Sequence, residues 1–146
     1  MSAPIDVHVV TPERELWAGE AETVIARGID GEVGILAGHA PLMVQLAIGP
    51  LRIQREASGE IVAVVDGGFL HVTSGGVEQG EAGTRVDVLA SNAELTGDID
   101  VESARSRASA LEQQLARGRD TQLDEAELDD VHAELRKAQT RIDLAG

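Results

Sequence analysis

The sequence has no cysteine and almost no aromatic residues: it contains one tryptophan, one phenylalanine and no tyrosine. Without cysteine the chain has neither a disulfide framework nor thiolate chemistry, which fits a reducing compartment such as the cytoplasm. With only Trp17 and Phe69, it offers no series of rings on which bases could stack, which argues against binding of single-stranded nucleic acid. We therefore expect a core of Val, Ile, Leu and Ala.

Basic residues are also scarce, because 12 Lys and Arg face 26 Asp and Glu and give a formal net charge of −14. This charge repels the phosphates of nucleic acids, so we expect a basic or polar protein partner instead. No stretch approaches the ~20 apolar residues that a membrane-spanning helix needs. Residues 1–10 also lack the basic start and apolar run of a signal peptide. Any membrane association is therefore expected to be indirect, through partners.

Helix breakers are missing from the C-terminal part of the chain. All four prolines and 14 of 16 glycines precede Asp98, and only Gly118 and Gly146 follow it. Because these residues mark turns and loops, their distribution predicts one domain over residues 1–97 and another over residues 98–146. The 42% of hydrophobic and 26% of charged residues are typical of a folded rather than a disordered chain.

The first part contains short runs rich in Val and Ile between turn signals, which predict strands. In residues 5–9 apolar and polar side chains alternate, the period of a strand with one face on a core and the other in water. The predicted strands are residues 5–10, 23–26, 51–54, 61–65, 69–72 and 85–89. Strands of this kind pack as a two-sheet sandwich or a barrel, and we favour the sandwich.

The second part has the period of amphipathic helices. One apolar stripe consists of Ala104, Ala108, Leu111 and Leu115, and the other of Leu128, Val131, Leu135, Ala138 and Ile142. Spacings of three and four place each set on one helical face, and a connector of about four residues predicts an antiparallel hairpin. The hairpin is either a permanent cap on the sandwich or an element that detaches and packs on a partner, and the sequence leaves both open.

The ends of these helices are predicted from their capping signals. Asp98 is expected to cap the first helix and Gly118 to end it. Residues 121–124, Thr-Gln-Leu-Asp, resemble a capping box that opens the second helix, with Asp in place of the usual Glu or Gln.

Catalytic motifs are absent from the sequence: it has no phosphate-binding loop, dinucleotide fingerprint, nucleophile elbow or zinc-protease motif. His8, His71 and His132 are expected at the surface, and acidic pairs such as Asp129 and Asp130 are expected on a solvated face. A metal site would require His39, His71 and Glu32 to meet in the folded sandwich. We expect neither a metal nor a catalytic residue.

Two segments carry a resemblance to a known family. Residues 31–42 read GEVGILAGHAPL, which resembles the signature of the epsilon subunit of F-type ATP synthases. Residues 66–72, DGGFLHV, resemble the second signature of that family, a Gly-Gly pair that opens a strand. Ile99 and Asp100 before a helical hairpin are similar to the start of its C-terminal part. The resemblance covers the whole chain and implies a β-sandwich followed by a helical hairpin.

The resemblance implies a rotor protein that performs no chemistry itself. The sandwich is expected to bind the gamma subunit and rest on the c-ring, at the cytoplasmic face of a bacterial cell membrane. The positions implied at this junction are Glu32, Gly38, His39, Ala40 and Pro41. Residues 31–42 would then form a rigid presented loop, because its glycines permit turns and Pro41 stiffens the exit. Alternatively, Glu32 and His39 only stabilise a turn.

The resemblance also implies a hairpin that extends toward the alpha and beta subunits and hinders ATP hydrolysis. Basic residues would contact acidic segments of beta, and the candidates are Arg105, Arg107, Arg117, Arg119, Arg136, Lys137 and Arg141. Residues 98–146 hold 12 acids against these 7 bases, a net charge of −5, so we expect weak inhibition.

Some relatives in the resembled family bind ATP on the folded hairpin. The corresponding residues here are Ile99, Asp100, Ala104, Lys137 and Arg141. Ser103 stands where an arginine would contact the nucleotide, and Arg105 lies too far around the helix to replace it. We therefore expect no cofactor. The alternative functions are a sandwich adaptor that dimerises through its hairpin and, less favoured, a metal-dependent sandwich enzyme.

Overall fold

The computed structural model describes residues 4–75, 83–121 and 123–145, and the side chains of residues 118–121 are outside this description. The chain divides into two compact units, Met1–Leu95 and Thr96–Gly146. In the described part, the first unit contains strands β1 Ile5–Val10, β2 Glu15–Ala21, β3 Thr23–Gly28, β4 Gly31–Leu36, β5 Leu42–Arg55, β6 Gly59–Gly75, β7 Gly83–Ala90 and β8 Ala93–Leu95. The second unit contains a 3₁₀ turn, Thr96–Asp98, and helices α1 Val101–Thr121 and α2 Glu125–Ala145.

The first unit is a β-sandwich whose two layers share the long strands β5 and β6. The strand order is β2-β1-β7-β6-β5-β3-β4, with β8 against β6, and all pairs are antiparallel except β1 with β7. Residues 42–46 of β5 pair with residues 68–72 of β6 in one layer, and residues 48–55 of β5 pair with residues 59–66 of β6 in the other. The predicted sandwich is thus confirmed.

Glycine makes the passage of β6 from one layer to the other possible. Gly67 and Gly68 have φ angles of 88° and 121°, which side chains with a Cβ rarely adopt. A Cβ on Gly68 would also overlap the carbonyl oxygen of Leu89 on β7. The Gly-Gly pair of the second signature is therefore a bend within one strand, and the strands predicted at 61–65 and 69–72 are halves of β6.

The core of the sandwich is aliphatic, as expected from the lack of aromatic residues. Its largest fully buried side chains all belong to Ile, Leu and Val: Ile5, Ile35, Leu51, Ile53, Leu70, Val7, Val9, Val24, Val72, Val86 and Val88. Alternate residues of β1 contribute to this core, as the alternation in residues 5–9 predicts.

The start of α1 differs from the prediction. Asp100 caps the helix: its Oδ1 accepts a hydrogen bond from the backbone N–H of Ser103 at 3.1 Å, and its Oδ2 accepts one from the Ser103 hydroxyl at 2.9 Å. Asp98, the predicted cap, ends the 3₁₀ turn instead. These two bonds favour the ionised carboxylate and hold the pKa of Asp100 below its usual range.

The connection between the helices also differs from the prediction. α1 continues through Gly118 to Thr121, because a glycine inside a helix costs only about 1 kcal/mol and does not have to end it. Asp124 caps α2, since its Oδ1 accepts a hydrogen bond from the backbone N–H of Glu127 at 2.8 Å. The N-cap of the second helix is therefore Asp124 and not Thr121.

The two helices pack along a narrow seam. The buried residues among the described side chains of the two helices are Ala104, Ala108, Leu111, Val131 and Ala138. The other members of the predicted stripes, Leu115, Leu128, Leu135 and Ile142, are partly buried. The three-residue connector makes the pair an antiparallel hairpin, which confirms the predicted fold class. No described helix is long and apolar enough to cross a membrane.

Candidate partner-binding surfaces

The first signature is half strand and half loop, so the expectation of one rigid loop over residues 31–42 was wrong. Residues 31–36 form β4, an edge strand that pairs only with β3 in the described part of the sheet. Residues 37–41, here called the signature loop, connect β4 to β5. Because a strand rises about 3.3 Å per residue, Glu32 and Leu36 are about 13 Å apart. Glu32 and His39 therefore lie at opposite ends of β4.

The signature loop is fixed by hydrogen bonds. The Gly38 N–H donates to the hydroxyl of Thr84, a buried residue, at 2.7 Å, and the His39 N–H donates to the Leu36 carbonyl at 3.1 Å. The His39 ring approaches the Ala40 carbonyl at 2.8 Å through Nδ1. A carbonyl only accepts, so Nδ1 is the donor in this contact. Gly38 has a φ of 85°, which explains glycine at this turn.

Glu32 lies beside a groove on the β4 side of the sandwich. The groove has a volume of about 470 Å³ and is lined by residues 28–33 and 42–45. Ile29 and Met43 line it and are 57% and 61% exposed. Glu32 is also exposed and lies opposite Arg27 in the β3–β4 register. A carboxylate at the rim of an apolar groove can bind a partner with a matching cation.

Three large apolar side chains form an exposed cluster on the outer face of the sheet, which we call the outer apolar patch. They are Met43, Phe69 and Leu89, with 61%, 46% and 52% of their surfaces exposed. Phe69 pairs with Leu89 on the neighbouring strand, and Met43 pairs with His71, two residues from Phe69 on the same face. The sequence analysis missed this patch. The feature of the sequence that indicates this patch is the presence of apolar residues on both faces of β6 and β7, where alternation with polar residues is expected.

Charged groups border the outer apolar patch. His71 pairs with Asp87, whose carboxylate accepts bonds from the Arg85 guanidinium at 3.0–3.2 Å. On β1, His8 Nε2 lies 3.1 Å from Asp6. The hydrogen bond with Asp87, followed by the charges of Asp87 and of Asp6, which lies 3.8 Å from the guanidinium, raises the pKa of Arg85. An apolar centre with a polar rim is the usual anatomy of a protein–protein interface.

Three of the basic candidates of the hairpin have acidic partners on the same hairpin. Arg105 lies 3.7 Å from Glu102, while Arg107 and Lys137 lie 3.6 Å and 3.0 Å from Glu134. The hydrogen bond from Lys137, followed by the charges of Lys137 and Arg107, holds the pKa of Glu134 below its usual range. Arg136 is exposed. The side chains of Arg119 and its neighbours lie outside the description.

The residues considered for ATP binding are engaged elsewhere. Asp100 caps α1 and Ala104 is buried in the seam. Lys137 binds Glu134, and an Arg141 nitrogen donates to the Lys137 carbonyl at 3.0 Å. Within residues 4–75, 83–121 and 123–145, no group of three or more acidic, His or Cys side chains could hold a metal ion. Glu32 and His39 are too far apart to form such a group together.

Comparisons with known proteins agree with this architecture. Residues 4–96 match the family model of the ATP synthase delta/epsilon chain beta-sandwich domain. The ATP synthase epsilon chain of Brevibacillus brevis is 45% identical over 109 residues, which cover 75% of this chain and 76% of the relative. That of Streptomyces coelicolor is 36% identical over 145 residues, covering 99% and 98% of the two chains.

Solved structures show the same fold. A chain of the Euglena gracilis mitochondrial ATP synthase, in a cryo-EM structure that includes the c-ring, has a TM-score of 0.74 and 26% identity and covers 96% of this chain and 80% of that chain. A chain from the central stalk and c-ring of the Tetrahymena thermophila enzyme has a TM-score of 0.57 at 16% identity, covering 99% and 98%, which shows the fold alone. With the family model matched over its sandwich and relatives matched along nearly its full length, the chain belongs to the family of ATP synthase epsilon chains.

Proposed function

We propose that the chain is a non-catalytic rotor subunit of an ATP synthase, which joins the gamma subunit to the c-ring through its sandwich and weakly restrains ATP hydrolysis through its hairpin. The observation that carries this proposal is the outer apolar patch on the unit that the family model matches. The proposal assigns catalysis to the alpha and beta subunits, with which the hairpin interacts.

The outer apolar patch is the proposed contact with gamma. Met43, Phe69 and Leu89 lie on the same face of three adjacent strands, and their exposed apolar surfaces cost free energy while they face water. The ion pairs of the rim restrict the orientations in which a partner can dock. A rotor subunit that carries torque needs such a fixed orientation, and a rigid sheet supplies it.

The c-ring is the proposed partner of the β4 edge. Glu32 near one end of β4 and His39 beyond the other define a line along this edge, with the groove of Ile29 and Met43 beside Glu32. The unpaired backbone of an edge strand can also accept hydrogen bonds from a partner. We propose that this line, including Gly38, Ala40 and Pro41, follows the junction between the c-ring and gamma. Association with the membrane is then indirect.

The proposal for gamma is tested by ATP hydrolysis and pull-down with an epsilon-free alpha, beta and gamma complex from the same source. Phe69→Glu and Leu89→Glu place a charge in the proposed interface, so we expect at least a tenfold weaker affinity for gamma, as for the centre of an interface. Ala57→Glu is the matched control, since it places the same charge on an exposed turn outside the patch. Equal affinities of all three variants would contradict the proposed gamma contact.

The same assay, with the chain truncated after Gly97, tests the role of the hairpin. We expect the full chain and the truncated chain to bind gamma equally. Only the full chain should slow hydrolysis, by a factor of about two to five, which corresponds to the strength of an exposed ion pair between the hairpin and an acidic partner. If neither form slows hydrolysis, the hairpin has no restraining role. If neither form binds gamma, the rotor function is wrong, and dimerisation of the chain would favour the adaptor.

A further inference from the structure

The seam of the hairpin is too small to hold the helices together firmly. Three of its five buried residues are alanine, and an alanine side chain buries little apolar surface. Leu111 and Val131 are the larger members. Since burial stabilises a pair of helices in proportion to apolar area, polar contacts across this seam have a larger relative effect than they would in the sandwich.

One carboxylate joins the two helices in the described part of the hairpin. Glu134 of α2 places Oε2 3.6 Å from a guanidinium nitrogen of Arg107 on α1, and Oε1 3.0 Å from Nζ of Lys137 on its own helix. Each oxygen thus has a different cation. The ion pairs of Arg105 with Glu102 and of Lys137 with Glu134, by contrast, each lie within a single helix.

The two cations that Glu134 holds are also two of the cations proposed to meet an acidic partner. Arg107 is 59% exposed and Lys137 32% exposed, so an incoming carboxylate could reach both, but only in competition with Glu134. Separation of the helices removes Arg107 from Glu134, because these residues belong to different helices. The pairing with Lys137 is within α2 and can persist.

We infer that Glu134 is an intramolecular mimic of an acidic partner. Glu134 closes the hairpin through its contact with Arg107, and it keeps this arginine from acidic protein surfaces until the helices separate. The inference deepens the regulatory part of the proposed function and rests on it for the identity of the partner. The closing contact itself depends only on the geometry of the hairpin.

The experiment uses the full chain with spin labels on Ser106→Cys and Gln139→Cys, two exposed positions on different helices. Labelling is specific because the sequence has no cysteine. Pulsed distance measurements give the fraction of molecules with separated helices. We expect Glu134→Gln to raise the ratio of separated to closed molecules roughly threefold, which is within the range for exposed ion pairs. Glu112→Gln, which removes the same charge from an exposed position of α1, is expected to leave the ratio unchanged.

Arg107→Gln provides the second arm, because it removes the other side of the same contact. It should open the hairpin as much as Glu134→Gln does, and the double variant should open it no further. Raising the salt concentration from 50 to 500 mM should open the wild type and leave the double variant unchanged. Helical circular dichroism verifies that each variant is folded. Equal ratios for Glu134→Gln and Glu112→Gln would overturn the inference.

Hydrolysis by the alpha, beta and gamma complex separates this inference from the proposed function. If Glu134 competes with the partner, Glu134→Gln should inhibit at a roughly threefold lower concentration than the wild type, and Glu112→Gln should not. Opening without stronger inhibition would overturn the mimicry. Absence of inhibition by every form, including the wild type, would instead count against the proposed restraining role, while the distance measurements still decide the closing contact.

Discussion

The sandwich and the hairpin are stabilised by different interactions. The core of the sandwich buries eleven Ile, Leu and Val side chains almost completely, whereas the hairpin buries three alanines with Leu111 and Val131. The hairpin adds an N-cap at each helix and one ion pair between the helices. Burial of aliphatic area responds little to salt or pH, but caps and ion pairs respond to both. Solution conditions should therefore change the hairpin before they change the sandwich.

The largest expected difference between the two units concerns their cores. Leu70→Ala removes a fully buried side chain of the sandwich and should lower its free energy of unfolding by about 2–5 kcal/mol. Val131→Ala removes two methyl groups from the seam and should cost the hairpin about 1–2 kcal/mol. Urea unfolding measures both, because Trp17 lies on β2 of the sandwich and circular dichroism at 222 nm reports mainly on the helices.

The expected difference between the sandwich and the hairpin would be absent if the two units unfolded in one transition. In that case Val131→Ala would shift the midpoint of the Trp17 fluorescence by as much as it shifts the helical signal. We expect the fluorescence midpoint of this variant to stay at its wild-type value.

The next largest effect concerns the backbone of the sandwich. Gly68→Ala forces a residue with a Cβ to a φ of 121° and into the Leu89 carbonyl, so it should destabilise the sandwich by about 2 kcal/mol or more. Gly34→Ala on the β4 edge is the control, because a Cβ there meets nothing within 4 Å and we expect a change within about 0.5 kcal/mol. Both free energies of unfolding are measured with urea. Similar losses of stability in the two variants would contradict the conclusion that the bend at Gly68 requires glycine.

The smallest expected effect is the pH dependence of the hairpin. The pKa of Asp100 is lower in the folded chain than in the unfolded chain, because the Ser103 N–H and hydroxyl bind the carboxylate. Its contribution is therefore present above the unfolded pKa and is lost as the pH falls through the folded pKa. Asp100→Ala should lose helical signal at neutral pH, whereas Asp100→Asn should keep the cap and show less loss of signal on acidification than the wild type.

Glu127, in the first turn of α2, should have the opposite pH dependence. A hydrogen bond with the Asp124 carboxyl, followed by the charge of Asp124, raises the pKa of Glu127 in the folded chain. The contribution of Glu127 to the stability of the helix is therefore present at low pH and is lost as the pH rises through the folded pKa. Glu127→Gln should thus increase the helical signal at neutral pH, with a difference from the wild type that shrinks on acidification. An unchanged signal at every pH would contradict the effect of Asp124.

The sequence allowed prediction where one interaction dominates. The alternation in β1 follows from burial of one face, and the hairpin stripes follow from helical spacing, so both were predicted. β2 and β4 were missed because Gly19 and Gly34 interrupt the apolar pattern that identifies a strand. Asp98 and Asp100 are both suitable caps, and only the backbone geometry distinguishes them.

The candidate surfaces were less accessible to sequence analysis. Glu32 and His39 are seven residues apart, and their separation by a strand depends on residues 31–36 being extended. The outer apolar patch requires the register of three strands, which brings Phe69 beside Leu89 and His71 beside Met43. The contact of Glu134 with Arg107 depends on how two antiparallel helices align, and local spacing does not determine this alignment.

The continuity of β5 and β6 through both layers has a mechanical consequence. Met43 and Phe69 lie in the halves of these strands that form one layer, while the other halves lead toward β3 and the β4 edge in the second layer. A load applied to one layer reaches the other along covalent bonds and does not depend on side chains resisting shear. The bend at Gly67 and Gly68 thus joins the two layers through continuous backbone. We expect the stiffness of this bend to affect how far the sandwich twists under load.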